Sequence, residues 1–138
     1  MTGHEIVNPG ELGRPSGYSH GVLGPAGGRT LFVAGQNAPD EGPEDPEGRL
    51  VIQFAAALGR ALAVVGEAGG RPEHVTRLTV YVTDMAAYRA ARPRLADPWR
   101  AAMGRHYPAM ALVEVRSLVD EGAVVEIEAT AVLPEAST

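Results

Sequence analysis

The stretch Tyr107–Val132, YPAMALVEVRSLVDEGAVVEIEATAV, decides how this chain folds. Two runs rich in apolar and β-branched residues, Ala109–Leu118 and Val124–Leu133, flank Asp120-Glu121-Gly122, which is turn chemistry. The pattern predicts two strands paired as a closing hairpin. Alternation in the second run puts Val125, Ile127, Ala129 and Ala131 on one face and Glu126, Glu128 and Thr130 on the other. In the first run it groups Ala109, Ala111, Val113 and Val115, opposite Met110, Leu112, Glu114 and Arg116. The first set in each run is assigned to the core. The other face is part apolar and part charged, which predicts oligomerisation with polar pockets between copies.

Working outward, Tyr18–Leu23 and Thr30–Ala34 read as strands joined by a Gly-Pro-Ala-Gly-Gly turn, and Glu5–Val7 as a further short strand. The segment Gln36–Arg49 contains NAPDEGPEDPEG and reads as a loop, either a solvated turn or a lid over a site. Val51, Phe54, Ala55, Leu58, Leu62 and Val65 trace one helical stripe that ends at Gly66, Gly69 and Gly70. His74–Thr83 is a buried strand by its β-branched content. Asp84 is a candidate N-cap for a second helical region, broken near Pro93 or Pro98 and ending at Gly104. The order ββαβαββ, or one strand more, predicts an α+β fold: a mixed β-sheet with two helices packed on one face.

The chain has 138 residues, which predicts a single domain spanning 1–138. It has no cysteine, which removes disulfides, thiolate nucleophiles and cysteine-ligated metals. Twelve basic against 17 acidic residues give a net charge of −5, a poor match for nucleic acid or an anionic membrane surface. No leader-like segment is visible at the start, and Gln53 and Arg60 interrupt the longest apolar stretch. A soluble, cytoplasmic protein is expected. His4, His20, His74 and His106 show no metal-ligand spacing, so no metal is expected. No nucleotide-binding loop, dinucleotide fingerprint or serine elbow is present, and no cofactor is expected.

GYSHGV (17–22), LFVAGQNAP (31–39), VTRLTVYVTDM (75–85), YPAMALVEV (107–115) and VVEIEATAV (124–132) occur in an order and spacing that resembles the YjgF-like family, also called Rid, for reactive intermediate deaminase. The resemblance runs from about Tyr18 to Val132. It implies a chorismate-mutase-like fold and a homotrimer with intersubunit clefts. It also implies hydrolysis of reactive enamines and imines to ketoacids and ammonia, with a small molecule as the partner. In relatives with that activity an arginine directly follows the Pro-Ala pair and holds the substrate carboxylate. Here that position is Met110, and a thioether cannot replace a bidentate guanidinium. The nearby family cysteine position is filled by Leu112.

The other site positions implied by the resemblance are kept. Glu126 would hold or activate water, with an ordinary outward-facing strand glutamate as the alternative. Tyr18 would orient a ligand or simply pack. His20, two residues on, would move a proton or be an exposed histidine. Gly35, Gln36, Ala111 and Leu112 would line the substrate through their backbone, with Met110 as an apolar pocket floor. Glu114 is expected in an intersubunit ion pair with Arg116 or another arginine. Arg116 is too far along the strand to replace position 110, and Arg89, Arg92, Arg94 and Arg105 could reach a cleft from another subunit. The expected function is a Rid-like hydrolase for imines or enamines that lacks the usual anchor. The alternatives are a non-catalytic trimer binding a metabolite or protein, and a ribonuclease or translation inhibitor, which the acidic balance disfavours.

Overall fold

The computed structural model describes residues 2–136. Its strands are β1 (Glu5–Val7), β2 (Gly21–Leu23), β3 (Arg29–Gln36), β4 (Val75–Val82), β5 (Ala109–Glu114) and β6 (Val125–Leu133). The α-helices are α1 (Pro46–Glu67), α2 (Met85–Ala91) and α3 (Ala96–Met103), with a 3-10 turn at Arg92–Leu95 linking the last two. This is the expected α+β fold: a mixed sheet, ordered β3-β6-β4-β5, with helices on one face.

The expected closing hairpin does not form. β6 pairs antiparallel with both β3 and β4, and β5 pairs parallel with β4 on its far side. The Asp-Glu-Gly turn is present, with Gly122 at φ 91°, but it leads the chain across β4. The first two strands are likewise not each other's partners. The Gly-Pro-Ala-Gly-Gly turn separates β2, which pairs with β1, from β3, which joins the main sheet.

The α1 helix starts earlier than its apolar stripe suggests. Asp45 is the N-cap, its Oδ2 accepting from the Gly48 amide at 2.8 Å, and Pro46 occupies the first turn, where its missing N–H costs nothing. The buried face is Leu50, Phe54, Ala57, Leu58, Ala61 and Val65, with Val51, Ala55 and Leu62 on its flank. The small Ala57 and Ala61 at the centre let the helix approach the sheet closely. By length and apolarity α1 would suffice to cross a membrane, and Gln53 does not prevent this. Its stripe is instead covered by β3 and β6. Gln53 itself is fully buried: its Nε2 donates to the Gly122 carbonyl at 2.9 Å and its Oε1 accepts from the Val124 amide at 2.8 Å.

The second helical region follows the expected break. Asp84 caps α2 through Oδ1 and the Ala87 amide at 3.0 Å, and Pro93 lies in the first turn of the 3-10 segment. α3 stops at Gly104, whose φ of 62° suits glycine. On the sheet, Leu78, Val80, Val82, Val125, Ile127, Ala129 and Ala131 form the helix-covered core. Truncating a residue such as the fully buried Leu58 to alanine would cost about 2–5 kcal/mol.

Candidate functional site

Registration on β4 fixes which way β5 faces. Met110 pairs with Leu78, Leu112 with Val80 and Glu114 with Val82, so these three share the helix-covered face. Ala109, Ala111 and Val113 pair with Arg77, Thr79 and Tyr81 and share the open face with Glu126 and Glu128. The phase expected from the sequence is therefore inverted for β5 and correct for β6. Met110 and Glu126 lie on opposite faces of one sheet, and within a single chain they do not meet.

On the helix side, Met110 and Leu112 form the floor of a cavity of about 470 Å³. Its walls are aromatic: Tyr18, Phe54, Tyr88, Trp99 and Tyr107. The Trp99 and Tyr107 rings stack with centroids 5.9 Å apart and planes 5° from parallel. Tyr18 is carried here by the segment before β2. Ser19 lies alongside β5 in a parallel bridge to Ala109, its amide donating to the Pro108 carbonyl at 3.0 Å and its hydroxyl to the Tyr107 carbonyl at 2.5 Å. His20 does not line the cavity. Its Nε2 donates to the Gly13 carbonyl at 3.1 Å, and its ring meets Tyr18 edge-on at 5.4 Å. It braces Tyr18 and ties down the 10–13 turn.

The open face holds the second set. Glu126 is half-buried, and its Oε1 accepts from Asn37 Nδ2 at 3.1 Å. The same Asn37 amide donates to Asp120 Oδ2 at 2.8 Å, so it bridges two carboxylates. Among the described residues, Glu126 Oε2 has no hydrogen-bond donor. Gly35 makes room for this carboxylate, since a Cβ there would lie 2.8 Å from Glu126 Cδ. A register shift between Val33 and Gln36 delivers it: the bulge turns the strand end and places Asn37 at the carboxylate. Gln36, the residue expected here, turns back instead, its Nε2 donating to the Ala34 carbonyl at 3.4 Å. On the adjacent strand β4, Tyr81 is the cross-strand partner of Glu126; its hydroxyl donates to Glu128 Oε1 at 2.6 Å, and this bond, with burial, raises the tyrosine pKa above its ordinary 10.0.

Within the chain, Glu114 Oε1 accepts from the Met85 amide at 2.8 Å, at the N-terminus of α2. Arg116 lies beyond the end of β5, so strand alternation does not place it with Met110. The loop before α1 is anchored: Arg49 donates to the carbonyls of Pro39, Gly42 and Gly122 at 2.5, 3.2 and 3.0 Å. Asn37, Asp120, Arg49 and Trp99 are the residues that reading the sequence missed. Asn37, two residues after Gly35 at the end of β3, was the one visible signal.

Residues 11–133 match the family model described as Endoribonuclease L-PSP. No curated protein matches the chain in sequence. Among solved structures, YyfB of the conserved Rid family from Yersinia pestis, described as of unknown function, is 30% identical. The alignment covers 95% of this chain and 99% of that one, with a TM-score of 0.73. Rv2704 of Mycobacterium tuberculosis, a member of the YjgF/YER057c/UK114 family, is 31% identical over 94% of this chain and 99% of its own, at 0.61. RidA from an Antarctic Psychrobacter is 29% identical over 84% and 88%, also at 0.61. The family match over residues 11–133, with identities of 30% and 31% across most of the chain, makes this protein a member of the Endoribonuclease L-PSP family, the YjgF/Rid group.

Proposed function

We propose that the chain is an imine or enamine hydrolase that works as a homotrimer, with each site shared between two copies. The observation that carries the reading is Glu126: a half-buried carboxylate on an uncovered sheet face, one oxygen fixed by Asn37 and the other without a donor. That arrangement suits a group that holds a water and takes its proton. The water oxygen adds to the carbon of the C=N bond and its proton passes to Glu126. The carboxyl returns that proton to nitrogen, giving a carbinolamine; Glu126 then takes the hydroxyl proton and passes it to the amine, so the C–N bond breaks and ammonia leaves as the carbonyl forms. An enamine is first protonated at carbon.

The sheet's two edges support a shared site. Glu126, Gly35 and Asn37 lie toward the β3 edge, and the Tyr18 cavity lies at the β5 edge. A head-to-tail ring that closes puts the first edge of one copy against the second edge of the next. The open face also exposes Phe32 (79%) and Val113 (43%), apolar area that a neighbouring copy would cover. Tyr18 then orients the ligand, braced by His20, while backbone at Gly35 and Ala111 contacts it. An RNA substrate has less support, because the net charge is −5 and the uncovered face presents glutamates.

The test is ammonia release from 2-aminoacrylate and from imines freshly generated from several amino acids. Acceleration that is lost in Glu126→Gln supports the reading. No acceleration for any imine overturns it, and would favour the metabolite-binding trimer, in which Glu126 and the cavity never cooperate. Sedimentation as a monomer would remove the shared site.

A further inference from the structure

The cavity behind Met110 has a charge pattern that the family resemblance does not account for. Its walls are apolar and aromatic, yet two arginines, Arg92 and Arg100, stand at its rim and no acidic residue lines it. This occurs in a chain whose net charge is −5. Both arginines are exposed. They come from different elements, Arg92 from the 3-10 turn and Arg100 from α3, so the fold converges two cations on one opening. Deeper in, Trp99 is 8% exposed, and its buried Nε1 has no hydrogen-bond partner among the described residues.

We infer that this cavity binds an organic anion with a flat or bulky apolar body. The body lies between the Trp99–Tyr107 stack and the Met110 floor, and the acid group reaches the Arg92 and Arg100 guanidinium groups. The anion anchor has thus moved from the strand to the helical segment. The position that an arginine would fill is given to Met110, whose flexible thioether packs against rings. A cavity of about 470 Å³ holds an aromatic or branched side chain with its acid, and leaves a three-carbon acid mostly uncontacted. For the reaction, the substrate class rests on the hydrolase reading: imines of aromatic or large apolar amino acids, with a carboxylate at the rim. For the ligand it rests on the cavity alone.

Trp99 is the only tryptophan, so its fluorescence reports the cavity directly. The intact protein is titrated with 3-phenylpropionate, propionate and the uncharged 3-phenylpropionamide. The expected result is saturable change with 3-phenylpropionate, at least about tenfold tighter than with either of the others. Arg92→Ala with Arg100→Ala, both surface changes, should bring the acid down to the affinity of the amide. Equal binding of acid and amide, an unchanged double variant, or no response to any probe would each overturn the inference. Glu126→Gln separates the two readings: it should abolish imine hydrolysis and leave the Trp99 response intact. Binding without any hydrolysis defeats the hydrolase and keeps the cavity's ligand. Hydrolysis of small imines without 3-phenylpropionate binding does the reverse.

Discussion

Gly35 lies directly against the carboxyl group of Glu126: a Cβ added at Gly35 would come within 2.8 Å of Glu126 Cδ and 3.0 Å of its Oε2. The glycine φ is not in the left-handed region, so space and not backbone freedom explains the residue. Gly35→Ala should push the carboxylate off Asn37. The expected outcome is about tenfold or greater loss of hydrolytic rate, in the range by which a misplaced acid–base group falls short. The global cost should stay near about 1–3 kcal/mol, as for overpacking elsewhere. Steady-state kinetics beside urea unfolding separates the two effects. Unchanged kinetics would detach Gly35 from the site.

A shared site has a signature that no single-chain site can give. Glu126→Gln and Tyr18→Ala should each be inactive alone. If the acid of one copy serves the cavity of the next, unfolding and refolding the two together should regain activity, because some clefts then receive both intact residues. With random assembly about a quarter of the clefts are restored. Activity no higher than that of the separate variants would place both residues in the same cleft half, or place Tyr18 outside the site.

The main-chain turn that carries Asp120 to Asn37 depends on Gln53. Its side chain is fully buried and satisfies the Gly122 carbonyl and the Val124 amide together. Gln53→Leu keeps the volume and strands both groups, at about 1–3 kcal/mol for each buried group left unpaired. A total loss of about 2–4 kcal/mol is expected by urea denaturation, with a smaller loss for Gln53→Glu at low pH. A neutral Gln53→Leu would mean that water replaces the side chain.

Much of this architecture could be read from residue order, and the failures share a cause. β6 alternates strictly between apolar and polar, so its phase was legible, and with it the exposure of Glu126. β5 begins Ala-Met-Ala-Leu-Val, apolar on both sides, and alternation carries no phase there. Only its parallel register on β4 turns Met110 toward the helices, and that register depends on the crossover through α2 and α3. The hairpin expectation failed for the same reason: a turn sequence shows that the chain reverses, but not that another strand lies between. At the site, Glu126 and Gly35 were visible as positions. Their partner Asn37 was not, because the bulge at the end of β3 exchanges it with Gln36. Asp120 arrives from 83 residues away, beyond any local pattern.

A histidine pair at the other end of the sheet gives the fold an acid limit. His4 and His74 pack with ring centroids 6.0 Å apart, and both ring nitrogens of His4 are buried without partners. Burial lowers the His4 pKa from its ordinary 6.5, and nearby His106 acts in the same direction. Burial likewise lowers that of His74, with the Arg71 charge second. Lowered pKa values mean that the unfolded chain binds protons first as pH falls. Stability is therefore full above 6.5 and declines as pH drops below it through the folded-state values. Urea midpoints measured from about pH 8 to about pH 5 should fall on the acid side. His4→Gln should reduce that slope. A slope unchanged by the substitution would assign the acid sensitivity to the carboxylates.

Met110→Arg tests whether the chain's specificity rests on one side chain. Met110 faces the cavity between Tyr107 and Leu112, so an arginine there places a third guanidinium against Trp99 and fills apolar volume. Two effects should move in opposite directions. Affinity for 3-phenylpropionate should fall by about tenfold or more, as the apolar floor is lost and a charge is buried. Hydrolysis of 2-aminoacrylate should rise, because a short carboxylate gains a bidentate partner on the strand. Competition between the two imine classes in one assay would read the switch directly. A variant that loses the aromatic ligand and gains nothing on small imines would show that position 110 shapes the cavity without anchoring substrate.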